Sequence, residues 1–293
     1  MSVGLSPSPR STPEASGLPE AMGKGPTHPP LVLVTGGKGG VGKTTVAANL
    51  GLALHAAGSA PLLVDLDLSL ANLDVVLGVQ PTHTTEDYLA GDATLEECLW
   101  RDERGLRLLA AGSGSYDMGR PDAERRARLR SALDGVDADL LVGDSPAGIG
   151  ADVLDFAVTA QRVLVVTTPE PAAFTDAYGL IKALDAYARD QGTEVPTPEV
   201  FVNFAADLEE ARGVAAKMAE LCERFLARSP RFAGWMPRSE AVQRSGISQA
   251  PFVESAPRSL ATHCVERLAR RLSWLGQPPQ LAAAAHASSN HGR

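Results

Sequence analysis

The chain has only three cysteines in 293 residues, Cys98, Cys222 and Cys264, far apart and without a C-x-x-C. That excludes a disulfide framework and leaves no thiolate set for a zinc or iron–sulfur site. Aromatic residues make up only 5% of the chain against 44% hydrophobic residues in all, so the apolar content lies in small and branched aliphatics. Long apolar runs are missing too. The longest are short pieces such as 31–34 and 163–166, far below the roughly 18 residues of a membrane-spanning helix. Positive charge is in deficit: the net charge is −8, which excludes bulk coating of nucleic acid. The first residues, Met1-Ser-Val-Gly, show neither a charged nor an apolar signal region, so a reducing cytoplasm is the expected setting.

Residues 1–30 are rich in Pro, Ser and Gly and read as a disordered arm. Residues 277–293 read as a flexible tail, and the folded body is expected over 31–275. Within it, short apolar runs alternate with longer helical patterns. Strands are expected at 31–35, 61–66, 106–110, 138–143, 162–168, 199–203 and 231–235, and helices near 43–57, 121–134, 150–160, 173–190, 207–227 and 257–275. The strands are continuously apolar, so both faces must be covered. The expected fold is α/β, a doubly wound, mostly parallel sheet flanked by helices, with ligands at the carboxyl ends of the strands.

The loop after the first strand carries the strongest signal. Gly37-Lys38-Gly39-Gly40-Val41-Gly42-Lys43-Thr44 fits G-x-x-x-x-G-K-[ST] between a buried strand and a helix. Glycines let successive N–H groups turn toward phosphate oxygens, and the helix start adds partial positive charge. Lys43 can reach the β- and γ-phosphates, the Thr44 hydroxyl can ligate Mg²⁺, and Thr45 follows in the first helical turn.

Two further strands end in carboxylates. Asp65 and Asp67 close the 61–66 strand on one face of extended chain. A carboxylate there can order the Mg²⁺ shell or hold an attacking water. Asp144 ends the 138–143 run, where a carboxylate meets the metal beside Thr44. Asp74 reads as a helix cap.

The loop's second lysine, Lys38, stands in the form Lys-Gly-Gly-x-Gly-Lys-Thr-Thr. This resembles the deviant Walker A motif of the MinD/ParA ATPases, a P-loop NTPase family, over about 31–275. The resemblance implies ATP and Mg²⁺ as cofactors and an ATP-dependent homodimer in which Lys38 reaches the partner's nucleotide. It also implies Asp67 as the residue positioning the hydrolytic water, with Lys38 and Lys43 as catalytic lysines. Metal-side roles fall to Thr44, Asp144 and Asp65. Asn203 would read adenine, and Pro237 would lie in the loop closing over the base.

The segments 65–91, 110–115, 165–184 and 251–272 are similar to the FlhG (FleN/YlxH) branch of flagellar-number regulators. That similarity implies an FlhF-like GTPase or flagellar switch proteins as partners, and a cytoplasmic location or a peripheral one at the inner membrane or cell pole. The arm contains no D-Q-A-x-x-L-R helix of the kind that stimulates the GTPase, and the tail lacks large apolar residues for membrane docking. The stretch 260–275 places Leu260, Cys264, Leu268, Leu272 and Leu275 on one face and reads as the last core helix. The alternative function is a ParA-type DNA-partitioning ATPase. It requires a strongly basic DNA-binding patch, whereas 207–275 holds only 11 Lys/Arg against 8 Asp/Glu.

Overall fold

The computed structural model describes residues 28–112, 122–226 and 228–276. The arm over 1–27, residues 113–115 of the 110–115 match and the tail 277–293 lie outside the described residues. In chain order the elements are β1 (Leu31–Gly36), α1 (Lys43–Ala56), β2 (Pro61–Asp65), α2 (Leu73–Leu77), α3 (Thr85–Ala90), α4 (Leu95–Cys98), β3 (Leu99–Arg101) and β4 (Arg107–Leu109). They continue with α5 (Ala123–Asp134), β5 (Leu140–Ala147), α6 (Ala151–Ala157), β6 (Arg162–Thr167), α7 (Pro171–Asp190), β7 (Glu199–Ala205), α8 (Leu208–Leu226), β8 (Arg231–Pro237), α9 (Glu240–Ser248), α10 (Phe252–Ser255) and α11 (Leu260–Leu272).

The sheet order is β3-β4-β2-β5-β1-β6-β7-β8. All neighbours are parallel except β3, which pairs antiparallel with β4 at the edge. The strands are apolar throughout because successive side chains serve two cores. Leu31 and Leu33 join one cluster, with α5 to α8 above it; Val32 and Val34 join the other, under α1 and α11. Val163 and Val165 divide from Leu164 and Val166 in the same way, as do Val200 and Val202 from Phe201. Helix α1 lies close on β2 at Gly51, where a Cβ would strike the Leu63 side chain.

Among the described residues, seven of the eight strands follow the expected runs. The eighth, β3, was not expected: three residues with the exposed Arg101 carry no alternation to read. The expected 138–143 strand runs on through Asp144 to Ala147. The arm also ends earlier than expected. Pro30 is buried, its carbonyl accepts the Leu141 N–H at 2.8 Å, and His28 Nδ1 lies 3.1 Å from the Asp134 carbonyl, so 28–30 belong to the folded body.

Helix α11 is a core helix, with a rotated face. Ala261, Val265, Leu268, Ala269 and Leu272 are buried against the α1 side, whereas Leu260 is 57% exposed and Cys264 only half-buried. Turning that packed face out to water would forfeit about 1.5–3 kcal/mol for each fully buried large aliphatic. Among the described residues no helix is long and apolar enough to cross a membrane.

Candidate nucleotide site

Strand β1 sits at the centre of the sheet, and the glycine loop follows its carboxyl end. Gly42 is the N-cap of α1, with φ +90° and ψ 28°, and gives no side-chain cap. The first-turn N–H groups of α1 are therefore left for a ligand. At Gly42 a Cβ would also collide with Asn203 Nδ2, and at Gly37 it would collide with the Asp176 carbonyl of α7. Among the described residues, and chain neighbours apart, no atom lies within 4 Å of the position a Cβ would take at Gly39 or Gly40, so the rim of the loop is open.

The two loop lysines differ. Lys43 is buried. Burial lowers the pKa of its ammonium, opposed by the negative charges of Asp144 and Asp67. Lys38 is exposed and makes no hydrogen bond or ion pair among the described residues.

Asp144 and Asp65 are partners in the parallel register of β5 and β2. The Thr44 hydroxyl beside Asp144 lowers the pKa of its carboxyl, yet Asp144 Oδ1 is buried with no hydrogen-bond partner. Its carboxyl is pushed well above the usual range by burial and by the facing Asp65, with Lys43 acting the other way. Asp65 Oδ1 accepts the Asp67 N–H at 3.0 Å, and its Oδ2 accepts those of Asn72 at 3.1 Å and Leu73 at 3.0 Å. Burial raises its pKa to about 7, against the lowering effect of those N–H groups. In this structure the Asp65 oxygens hold the 67–73 segment and the start of α2. Asp67 Oδ1 accepts the N–H groups of Ser69 at 3.3 Å and Leu70 at 3.0 Å, closing a tight turn at the strand tip. Asp74 is inside α2, whose N-cap is Asn72, so the expected cap lies two residues earlier.

Asn203 is fully buried near the end of β7. Its Nδ2 donates to the Val41 carbonyl at 2.8 Å, and its Oδ1 accepts the Phe204 N–H at 2.8 Å. Pro237 is buried as the last residue of β8, in register with Ala205. It is a strand-tip residue here rather than part of a free loop. Sequence reading missed the seat of Gly37 on α7 and the link between Asn203 and the loop. The second joins residues 162 positions apart, and no local pattern announces it.

A buried carboxylate oxygen without a partner, an adjacent threonine hydroxyl, an uncapped helix start and an open glycine rim fit a Mg²⁺-nucleotide. Residues 32–252 match the CobQ/CobB/MinD/ParA nucleotide-binding domain model. The chain belongs to this family. Within it, the chain is 39% identical over 254 residues to the antiactivator FleN of Pseudomonas aeruginosa, covering 85% of this chain and 89% of that one. It is 30% identical to the flagellum site-determining protein YlxH of Helicobacter pylori, covering 82% and 80%. Among solved structures, the cell division ATPase MinD of Pyrococcus furiosus is similar with a TM-score of 0.70 and 25% identity, over 84% of this chain and 99% of that one. The Pyrococcus horikoshii MinD, complexed with Mg-ADP, gives 0.68 at 25% identity, over 83% and 95%. The chain is thus a MinD/ParA-type ATPase related to the antiactivator FleN and the flagellum site-determining protein YlxH.

Proposed function

We propose that this chain is a regulatory ATPase that pairs with a second copy when ATP is bound and returns to a monomer on hydrolysis. Its setting is the number or placement of flagella or of another polar structure. The relative named as a flagellum site-determining protein supports that setting, beside the one named as an antiactivator. Partners in this reading are a flagellar GTPase of the FlhF kind or flagellar switch proteins, met in the cytoplasm or at the cell pole.

The loop N–H groups and Lys43 hold the phosphates, and Thr44 and Asp144 hold Mg²⁺. Bound Mg²⁺ supplies the positive charge that offsets the phosphate oxygens. Asp67, fixed at the tip of β2 through its own N–H bond to Asp65, orients the attacking water. Lys38, exposed in the single chain, would reach the partner's nucleotide in the dimer. Because the output is a surface shape set by nucleotide state, slow turnover follows.

The carrying observation is the contrast between a buried Lys43 and an exposed, unengaged Lys38 in one loop. Light scattering with size-exclusion chromatography tests it. With Mg·ATP the wild type and Asp67→Ala are expected as dimers and Lys38→Ala as a monomer. A wild type that stays monomeric at saturating ATP overturns the switch reading. ATP-dependent, salt-sensitive DNA binding would replace it with the partitioning one.

A further inference from the structure

Three buried hydroxyl residues stand near the carboxyl ends of three adjacent strands: Ser145 on β5, Thr35 on β1 and Thr167 on β6. Thr35 continues the face of Leu31 and Leu33, and Thr167 that of Val163 and Val165, so both lie on the α5 to α8 side of the sheet. Ser145 shares that face, two residues beyond Gly143, the register partner of Leu33. Among the described residues the hydroxyls of Thr35 and Thr167 have no hydrogen-bond partner. A valine would fill the same space without a polar group to desolvate, so each hydroxyl calls for a reason.

Thr35 faces an irregularity. Strands β1 and β5 pair in register from Leu31 and Leu141 up to Val34 and Asp144, and again at Gly36 and Ala147. Between these points Thr35 alone stands opposite both Ser145 and Pro146, which is the residue count of a β-bulge. Pro146 has no N–H with which to close the ladder. Beyond it the strands are tied again, the Gly148 N–H donating to the Gly36 carbonyl at 3.1 Å. Inside the bulge the Ser145 hydroxyl donates to the Pro146 carbonyl at 3.0 Å, a bond between neighbours in the chain. A carbonyl oxygen has two lone pairs, so this one can accept a second donor.

The bulge begins one residue after Asp144, whose buried oxygen is unpartnered, and flanks the strand that leads into the glycine loop. An extra residue can shift along its partner strand while the pairing on either side persists. An unpaired donor opposite an acceptor with spare capacity gives that shift a second resting place.

We propose that the Ser145–Pro146 bulge is a two-position joint of the ATP switch, and that the Thr35 hydroxyl is the donor kept for the Pro146 carbonyl in the ATP-bound position. This rests on the regulatory-switch reading given above. Thr35 is a positioning residue: it acts through the 145–148 segment and touches no phosphate. Its bond belongs to one state only, as a shift of population requires, since a bond made equally in both states would move nothing.

The test is calorimetry on the full chain with Mg·ADP and the slowly hydrolysed Mg·ATPγS, for wild type, Thr35→Val, Thr35→Ser and Thr167→Val, with thermal melts of each ligand-free protein. Thr35→Val is expected to keep its Mg·ADP affinity and to bind Mg·ATPγS about five- to tenfold more weakly, the loss of one buried hydrogen bond. Its ligand-free melting temperature should hold or rise. Thr35→Ser keeps the donor and should bind both nucleotides as the wild type does. Thr167→Val removes the other unpartnered hydroxyl, away from the bulge, and should leave the ratio of the two affinities unchanged. Equal weakening of both nucleotides in Thr35→Val, or no change in either, overturns the proposal, as does the same change of ratio in Thr167→Val. If Thr35→Val does not fold, Thr35→Ala removes the donor without crowding and carries the same comparison. A wild type that binds Mg·ATPγS yet stays monomeric overturns the switch reading itself, an outcome read from the wild type alone.

Discussion

Asp65 and Asp144 are the same residue type at the tips of adjacent parallel strands, paired in register and almost equally buried at 1% and 2% exposure. Their surroundings differ. Three backbone N–H groups of the following loop converge on Asp65, whereas Asp144 keeps a buried oxygen with no partner. One carboxylate holds the segment that carries Asp67, and the other keeps an oxygen without a partner. Position on a strand therefore does not assign a role; the path of the chain after the strand does.

The sharpest way to break this comparison is at Asp144. Asp144→Asn is expected to lower ATP hydrolysis by about 100-fold or more, because the metal loses its anionic ligand. Its melting temperature should hold or rise, since a poorly solvated carboxylate has been removed. Steady-state phosphate release and thermal melts check both halves; a variant that unfolds while its hydrolysis survives reverses the assignment.

Asp65→Ala should do the opposite to stability. It leaves the N–H groups of Asp67, Asn72 and Leu73 without their acceptor, at a cost of about 1–3 kcal/mol. Hydrogen exchange at those amides should accelerate before exchange elsewhere in the sheet. Unchanged protection over 67–73 would show that the segment is held by something else.

A smaller effect separates the pair by pH. The Asp65 carboxyl titrates at about 7 in the folded chain, against 3.8 ordinarily, and Asp144 is displaced in the same direction. The folded protein therefore binds more protons than the unfolded chain between those values. Stability should be greatest below the ordinary value and fall as pH rises through the folded one. Denaturant titrations of the ligand-free protein across that window should show this slope. Asp65→Asn and Asp144→Asn should each flatten it, and a slope that survives in the double variant would assign it to other groups.

Much of the fold was legible because buried parallel strands have a plain signature. Runs such as Leu31–Val34 and Val163–Val166 are apolar on both faces since both faces meet a core. The edge strand β3 and the short helices α2, α3, α4, α9 and α10 were not legible. Each is too short for a period to register, and capping and packing decide them. The glycine loop was legible because its chemistry is local, eight consecutive residues between a strand and a helix.

The hydrogen bonds that Asp65 and Asn203 make were not legible, for a common reason. A carboxylate or amide at a strand tip has the same sequence signature whether it faces a ligand or folds back on the chain.

Residue order alone was enough for the alternation of strands and helices, the phosphate cradle and the placing of carboxylates at strand ends, since these follow from period, glycine freedom and chain direction over a few residues. Tertiary structure decided which carboxylate keeps a free oxygen, which lysine is buried and which faces outward, and which amide of β7 bonds to the loop. Those outcomes depend on hydrogen bonds and desolvation between segments distant in sequence, and they exist only once the sheet has brought the strand tips together.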